Sequence, residues 1–133
     1  MVTLSFRKIR QAIRHFPLPE ADLVIGIATG GVAPATMVAW ELECELDMIK
    51  INYRGPDNKP VYELPRILSY PDRQLPAHLR ILLVDDVAVT GKTLEIAREI
   101  FSMHEVKTLV LKGSADYVLF PDIKSCVNWP WKT

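Results

Sequence analysis

Three observations point to an α/β protein built on one open parallel sheet with helices on both faces. Apolar-rich runs of strand length recur along the chain, at Leu23 to Ala28, Ile81 to Val84 and Val106 to Leu111. The second of these is unbroken, which suits a strand covered on both sides by helix layers. Between the runs lie segments whose apolar residues recur every three to four positions, the period of an amphipathic helix. Two strand-to-helix junctions carry glycine and hydroxyl residues, Thr29-Gly30-Gly31 and Thr90-Gly91-Lys92-Thr93, as turns that feed helix N-termini often do. With 133 residues, 49% of them hydrophobic, the chain can enclose a core of its own, so residues 1–133 are expected to form a single domain.

The elements follow in order. Val2, Phe6, Ile9, Ile13 and Phe16 recur at helical spacing, with Arg7, Lys8, Arg10 and Arg14 on other faces. They predict a first amphipathic helix with a solvated basic side, ended by Pro17 and Pro19. Leu23 to Ala28 is the first strand, and a helix follows from about Pro34, a residue well placed in a first turn. Val32, Ala35, Ala39 and Leu42 are its expected buried stripe. Met48 to Tyr53 is a further strand segment. Five of the ten prolines then crowd between Gly55 and Pro76, predicting a long irregular connection. Ile81 to Val84 is the central strand, with Asp85 and Asp86 where it should end. Leu94, Ala97, Ile100 and Phe101 give the next helix its stripe, to about Ser102. Val106 to Leu111 forms another strand, ending in Lys112. Gly113 to Thr133 closes the chain, and Trp131 is expected to cover its hydrophobic end.

Composition excludes several classes. The 16 basic and 16 acidic residues cancel, so no global field draws nucleic acid or anionic membrane. No apolar run approaches the ~20 residues of a membrane span, and the N-terminus lacks a signal-peptide core; a soluble cytoplasmic protein is expected. Cys44 and Cys126 have no metal-like spacing, and His15, His78 and His104 lie in separate segments.

The densest chemistry lies in Arg80 to Leu94, RILLVDDVAVTGKTL. A strand, an acidic pair, a loop with hydroxyls and glycine, and a helix make the layout of a phosphate site at the carboxyl edge of an α/β sheet. Thr90-Gly91-Lys92-Thr93 looks like the tail of a Walker A motif, but that motif needs glycine five positions before Gly91, where this chain has Asp86. A carboxylate pair beside a phosphate cradle repels phosphate unless it holds something between the two. Vicinal sugar hydroxyls, with or without Mg²⁺, meet that need. The stretch therefore suits a phosphorylated ribose.

VDDVAVTGKTL is similar to the phosphoribosyl-diphosphate (PRPP) binding motif of the type I phosphoribosyltransferases, and the chain in outline resembles their small bacterial and archaeal purine members. The resemblance implies a Rossmann-like three-layer fold, a mobile loop over 55–76 and a short C-terminal hood over 113–133. It implies that Asp85 and Asp86 hold the ribose and position the transition state, and that Val87, Ala88, Val89, Thr90, Gly91, Lys92 and Thr93 wrap the 5′-phosphate. Thr29, Gly30 and Gly31 are implied for pyrophosphate. Lys112 matches a lysine that donates to the exocyclic oxygen of a 6-oxopurine. Cys126 or Val127 falls where an aromatic ring stacks on the base, with Trp129 able to take over if the register slips. Tyr53, Arg54, Lys59 and Tyr62 are loop candidates. Mg²⁺ is expected to arrive with PRPP, without a direct protein ligand, and a homodimer is the family's habit.

Two departures stand out. Several purine-using members carry a basic residue where this chain has Thr29. Purine-specific members commonly carry, at the position of Val89, an Asp that faces N7 of the base. The implied activity is transfer of the 5-phosphoribosyl group of PRPP to a nitrogenous base, a 6-oxopurine favoured, with release of pyrophosphate. The alternative is a non-catalytic PRPP- or nucleotide-binding regulatory module, to which Val89 and the missing aromatic would be no hindrance.

Overall fold

The computed structural model describes residues 1–52, 66–69 and 75–132. Its elements are β1 (Val2–Thr3), α1 (Phe6–His15), β2 (Leu23–Ala28), α2 (Val32–Leu42), β3 (Glu45–Asn52), β4 (Arg66–Ser69), β5 (Arg80–Ala88), α3 (Lys92–Ile100), β6 (Glu105–Gly113), β7 (Tyr117–Val118) and β8 (Val127–Asn128). The main sheet has the order β4-β3-β2-β5-β6-β7. Its five strands from β3 to β7 in that order are parallel, and β4 lies antiparallel at the β3 edge. The expected open sheet with helices on both faces is therefore present.

Strand β5 shows how the layers form. Side chains alternate along a strand, so Leu82 and Val84 face one side and Ile81 and Leu83 the other. The first pair packs with Ile9 and Ile13 of α1 and with Ala35 and Val38 of α2. The second packs with Leu94 and Ala97 of α3 and with Phe101 just beyond it. Each fully enclosed aliphatic side chain contributes about 1.5–3 kcal/mol relative to exposure. Both faces thus need apolar residues, which is why the run has no polar interruption.

Several boundaries differ from the sequence expectation. Val2 is not helical: it belongs to β1, which pairs parallel with β8 through Val2↔Val127 and Thr3↔Asn128. Helix α1 begins at Phe6 because Ser5 caps it, its hydroxyl accepting from the Lys8 N–H at 3.1 Å. Helix α2 starts at Val32, itself 39% exposed, so its buried face is carried by Pro34, Ala35, Val38 and Ala39. Strand β3 starts earlier than predicted, and β5 runs on through the acid pair to Ala88. Residues 53–65 and 70–74, which take in most of the connection expected over 55–76 and the candidates Tyr53, Arg54, Lys59 and Tyr62, lie outside the described residues; within it, β4 is sheet.

The two chain ends close over one face of the sheet. Trp129 is 4% exposed and joins the core on the α1–α2 side. Trp131 stacks on it, with ring centroids 5.2 Å apart and planes within 7°, and Phe6 tilts against Trp131 at 6.0 Å. Both tryptophans thus close the domain, Trp131 as predicted and Trp129 with it. Trp129 cannot serve as a base-stacking platform, because its ring is buried and one face is covered by Trp131.

Candidate functional site

The sheet order reverses direction between β2 and β5: the chain proceeds from β2 to β3 on one side and from β5 to β6 on the other. In open α/β sheets this switch point leaves a crevice beyond the carboxyl ends of the strands. Here β2 and β5 pair only as far as Gly26↔Val84. The β5–β6 pairing continues to Ala88↔Gly113. Residues 85–88 therefore extend past β2's last partner while β6 still supports them, and the turn after β2 curls into the gap.

That turn and the acid pair meet. A Cβ placed on Gly30 would lie 2.5 Å from Asp86 Oδ2, so glycine is what lets backbone and carboxylate approach this closely. The Ala28–Thr29 peptide is cis. The Gly31 N–H donates to the Ile27 carbonyl at 2.8 Å, so donation from this turn to an anion falls on its neighbours. Of the three residues implied for pyrophosphate, Gly31 is thus structural in its amide.

Asp85 Oδ1 accepts from the Asp86 N–H at 2.8 Å, and Asp86 Oδ1 accepts from the Val87 N–H at 2.7 Å. Asp86 is buried and Asp85 half-buried. Burial, then the negative charge of Asp86 and a hydrogen bond shared with it, hold the Asp85 carboxyl well above the usual carboxylate range. The pair is under an electrostatic tension that a cation or sugar hydroxyls would relieve. Asp86 continues the Leu82–Val84 side of β5, where the chain ends gather. There Lys132 Nζ comes within 3.7 Å of Asp86 Oδ2, and its charge partly offsets the rise at Asp85.

After Ala88 the chain leaves the sheet. Gly91, at φ 79°, makes the left-handed turn into α3. The Lys92 N–H donates to Thr90 Oγ1 at 3.4 Å, and α3 presents its N-terminus beside the loop. Thr90 and Lys92 are exposed, Thr93 half-buried, and Val89 is 76% exposed. Val87 and Ala88, expected in the wrapping loop, are instead strand residues packed towards the core, so the loop proper is 89–91 and Lys92 and Thr93 open α3. Lys112 pairs in register with Val87, which sets it on the strand next to this loop. Val127 lies in β8, half-buried against the α1–α2 core.

Lys132 is the site residue that sequence reasoning missed. Its approach depends on the β1–β8 pairing and the tryptophan stack, and no local spacing encodes either. Among the described residues no group of three or more His, Cys, Asp or Glu is placed to hold a metal ion. Two carboxylates alone fit Mg²⁺ held chiefly by ligand phosphates and water. No helix among these residues is long and apolar enough to cross a membrane.

Fold and site together define a doubly wound α/β protein with an acid pair and two glycine-bearing turns at its switch point. The phosphoribosyl transferase domain family matches residues 6–132, and the chain belongs to that family. It is 29% identical over 116 residues to a xanthine-guanine phosphoribosyltransferase of Cereibacter sphaeroides, covering 81% of this chain and 67% of that protein. It is 34% identical over 89 residues to an orotate phosphoribosyltransferase of Saccharolobus solfataricus, covering 67% of this chain but 40% of the relative. The chain thus spans from two fifths to two thirds of these two relatives. A purine phosphoribosyltransferase of Pyrococcus horikoshii superposes with a TM-score of 0.78 at 26% identity, over 99% of this chain and 93% of that one.

Proposed function

We propose that this protein transfers the 5-phosphoribosyl group of PRPP to a nitrogenous base and releases pyrophosphate. The observation that carries the reading is the closure of the 29–31 turn onto Asp86, which brings a pyrophosphate-type turn and a ribose-type acid pair to one crevice. Asp85 and Asp86 would hold the ribose hydroxyls, and 89–93 with the α3 N-terminus would seat the 5′-phosphate. Thr29 and Gly30 would face the pyrophosphate, with Lys112 and the segment at Val127 on the base side. A base nitrogen attacks the anomeric carbon. The new C–N bond forms as the bond to pyrophosphate breaks, and the electron pair leaves with pyrophosphate. Mg²⁺ bound with PRPP would neutralise the leaving charge.

The chain's own contribution is alignment and exclusion of water. Val89 carries no proton, so a proton lost from the base passes to water. A 6-oxopurine is the favoured acceptor, supported by Lys112 and by the purine-using relatives; the orotate-using relative keeps a pyrimidine on the panel. A single domain with its hood over 113–133, a cytoplasmic location and no nucleic-acid or membrane partner complete the reading. A homodimer is supported by Trp40, 82% exposed beside a groove of about 410 Å³ lined by Ile13 and Met37 between α1 and α2. The second reading, a regulator that binds PRPP or nucleotide without turnover, is favoured by the bare apolar surface of Val89.

The test is PRPP- and Mg²⁺-dependent nucleotide formation with guanine, hypoxanthine, xanthine, adenine, uracil and orotate. Product from a 6-oxopurine is expected, with a fall on the order of 10³-fold in an Asp85→Asn, Asp86→Asn double variant. No product from any base, with saturable PRPP binding by calorimetry, would leave the regulator. No binding of PRPP, nucleotide or pyrophosphate would refute both.

A further inference from the structure

We infer that Lys132 is a pyrophosphate-binding residue, a tethered cation that neutralises Asp86 in the empty site and turns to the leaving group when PRPP is bound. The inference rests on the transferase reading above. Its ammonium lies 3.7 Å from the same Asp86 oxygen that abuts Gly30, so cation, carboxylate and turn share one spot. The turn has a need the lysine meets. Its side chains are one threonine and two glycines, and the Gly31 amide is already taken by Ile27. Pyrophosphate is the most highly charged part of the ligand, and the turn itself offers it only backbone N–H groups and the Thr29 hydroxyl, with no charged side chain.

The tether is fixed and the head is not. The Lys132 N–H donates to the Trp129 carbonyl at 3.2 Å, and the preceding Trp131 is held between Trp129 and Phe6. The side chain itself is 61% exposed, against 11% for that of Asp86. A four-carbon stem on a fixed backbone can swing its three donors between a carboxylate and a phosphate without moving the hood. Once ribose hydroxyls satisfy Asp86, the more highly charged pyrophosphate is the stronger partner.

The experiment compares wild type, Lys132→Gln, Lys132→Arg and Lys124→Gln, the last removing a hood charge whose ammonium donates to the Pro121 carbonyl. Calorimetry with Mg²⁺-PRPP and Mg²⁺-pyrophosphate, and KM for PRPP and for the base, are read on each. In Lys132→Gln the PRPP KM and pyrophosphate Kd should rise about tenfold, or ~1.4 kcal/mol, with the KM for the base unchanged. Lys132→Arg should restore most of the loss, and Lys124→Gln should behave as wild type. A purely structural lysine would instead shift Tm, or raise the KM for both substrates together, and either result overturns the proposal. Wild-type affinity in Lys132→Gln overturns it and leaves the transferase reading standing; a wild type that binds neither ligand overturns both.

Discussion

The two ends of β5 carry the same kinds of charge and treat them oppositely. At the amino end Arg80 bonds Asp22 through Nε at 3.1 Å and Nη2 at 2.9 Å, and Glu20 through Nη1 at 2.7 Å. Its backbone N–H also donates to Asp22, and the Asp22 N–H returns a bond to the Arg80 carbonyl. Five residues on, Asp85 and Asp86 stand side by side, with Lys132 approaching from the hood. The first end uses charge to fasten β5 to the segment entering β2, and every charge there has an opposite neighbour. The second leaves like charges together, enclosed and incompletely compensated. Only that end lies at the switch point, where a ligand can supply what is missing. An arrangement unfavourable in the empty protein becomes an affinity for cation, hydroxyl and phosphate.

The contrast breaks most completely at Gly30. Gly30→Ala would put a methyl group 2.5 Å from the Asp86 carboxylate, so either the turn or the acid must shift. A displacement of this size in a positioning group costs on the order of 10²-fold. PRPP affinity and turnover should fall by about that factor while Tm changes little, since residue 30 is only half-buried at the end of β2. Unchanged PRPP binding by calorimetry would show that the contact has no bearing on the ligand.

Much of this was legible in the chain. The strand at Leu23 to Ala28 has the predicted bounds because its composition and the following Gly-Gly both mark it. The acid pair and Thr90 to Thr93 announce themselves because one continuous stretch carries the strand, the turn and the helix start. What was hidden depends on distant pairing or on conformations without a residue signature. Val2 fits a helical stripe by period, yet its partner Val127 lies at the other end of the chain. Helix α2 ends in a left-handed Glu43 at φ 54°, where a glycine would have given warning. Strand β5 passes through Asp85 and Asp86 because β6 keeps pairing with it, which hydropathy cannot report.

A smaller effect sharpens the comparison from the stability side. Burial and the Asp86 charge raise Asp85 above its ordinary value of 3.8, with Lys132 offsetting part of the rise. A carboxyl raised in the folded state makes the native protein bind more protons than the unfolded chain. Stability is therefore lost as pH rises through the folded value, and the penalty is absent below 3.8. Asp85→Asn should raise Tm at neutral pH by about 3–5 °C, the shift that ~1 kcal/mol gives in a domain of this size. The gain should shrink as pH falls and disappear below the ordinary carboxylate range. Thermal melts between pH 3 and 8 would read it, and an Asn variant less stable than wild type at pH 7 would remove the idea of a strained pair.

The smallest effect belongs to the other end of the strand. Hydrogen bonds from the Arg80 side chain and then its backbone lower Asp22 from 3.8 to about 2. A carboxyl lowered in the folded state has the opposite linkage: its contribution is complete above 3.8 and is lost as pH falls through about 2. The ion pairs are solvent-exposed, with 46% of the Arg80 side chain and 37% of the Asp22 side chain accessible, and water and salt screen such contacts. Asp22→Asn should therefore lower Tm only slightly at pH 7, less so in high salt, and not at all well below pH 2, with turnover unaffected. Asp85→Asn and Asp22→Asn thus move Tm in opposite directions at neutral pH, and both differences fade in acid. If instead both variants destabilised alike, the two ends of β5 would be doing the same work, and the division between a fastened end and a ligand-ready end would not hold.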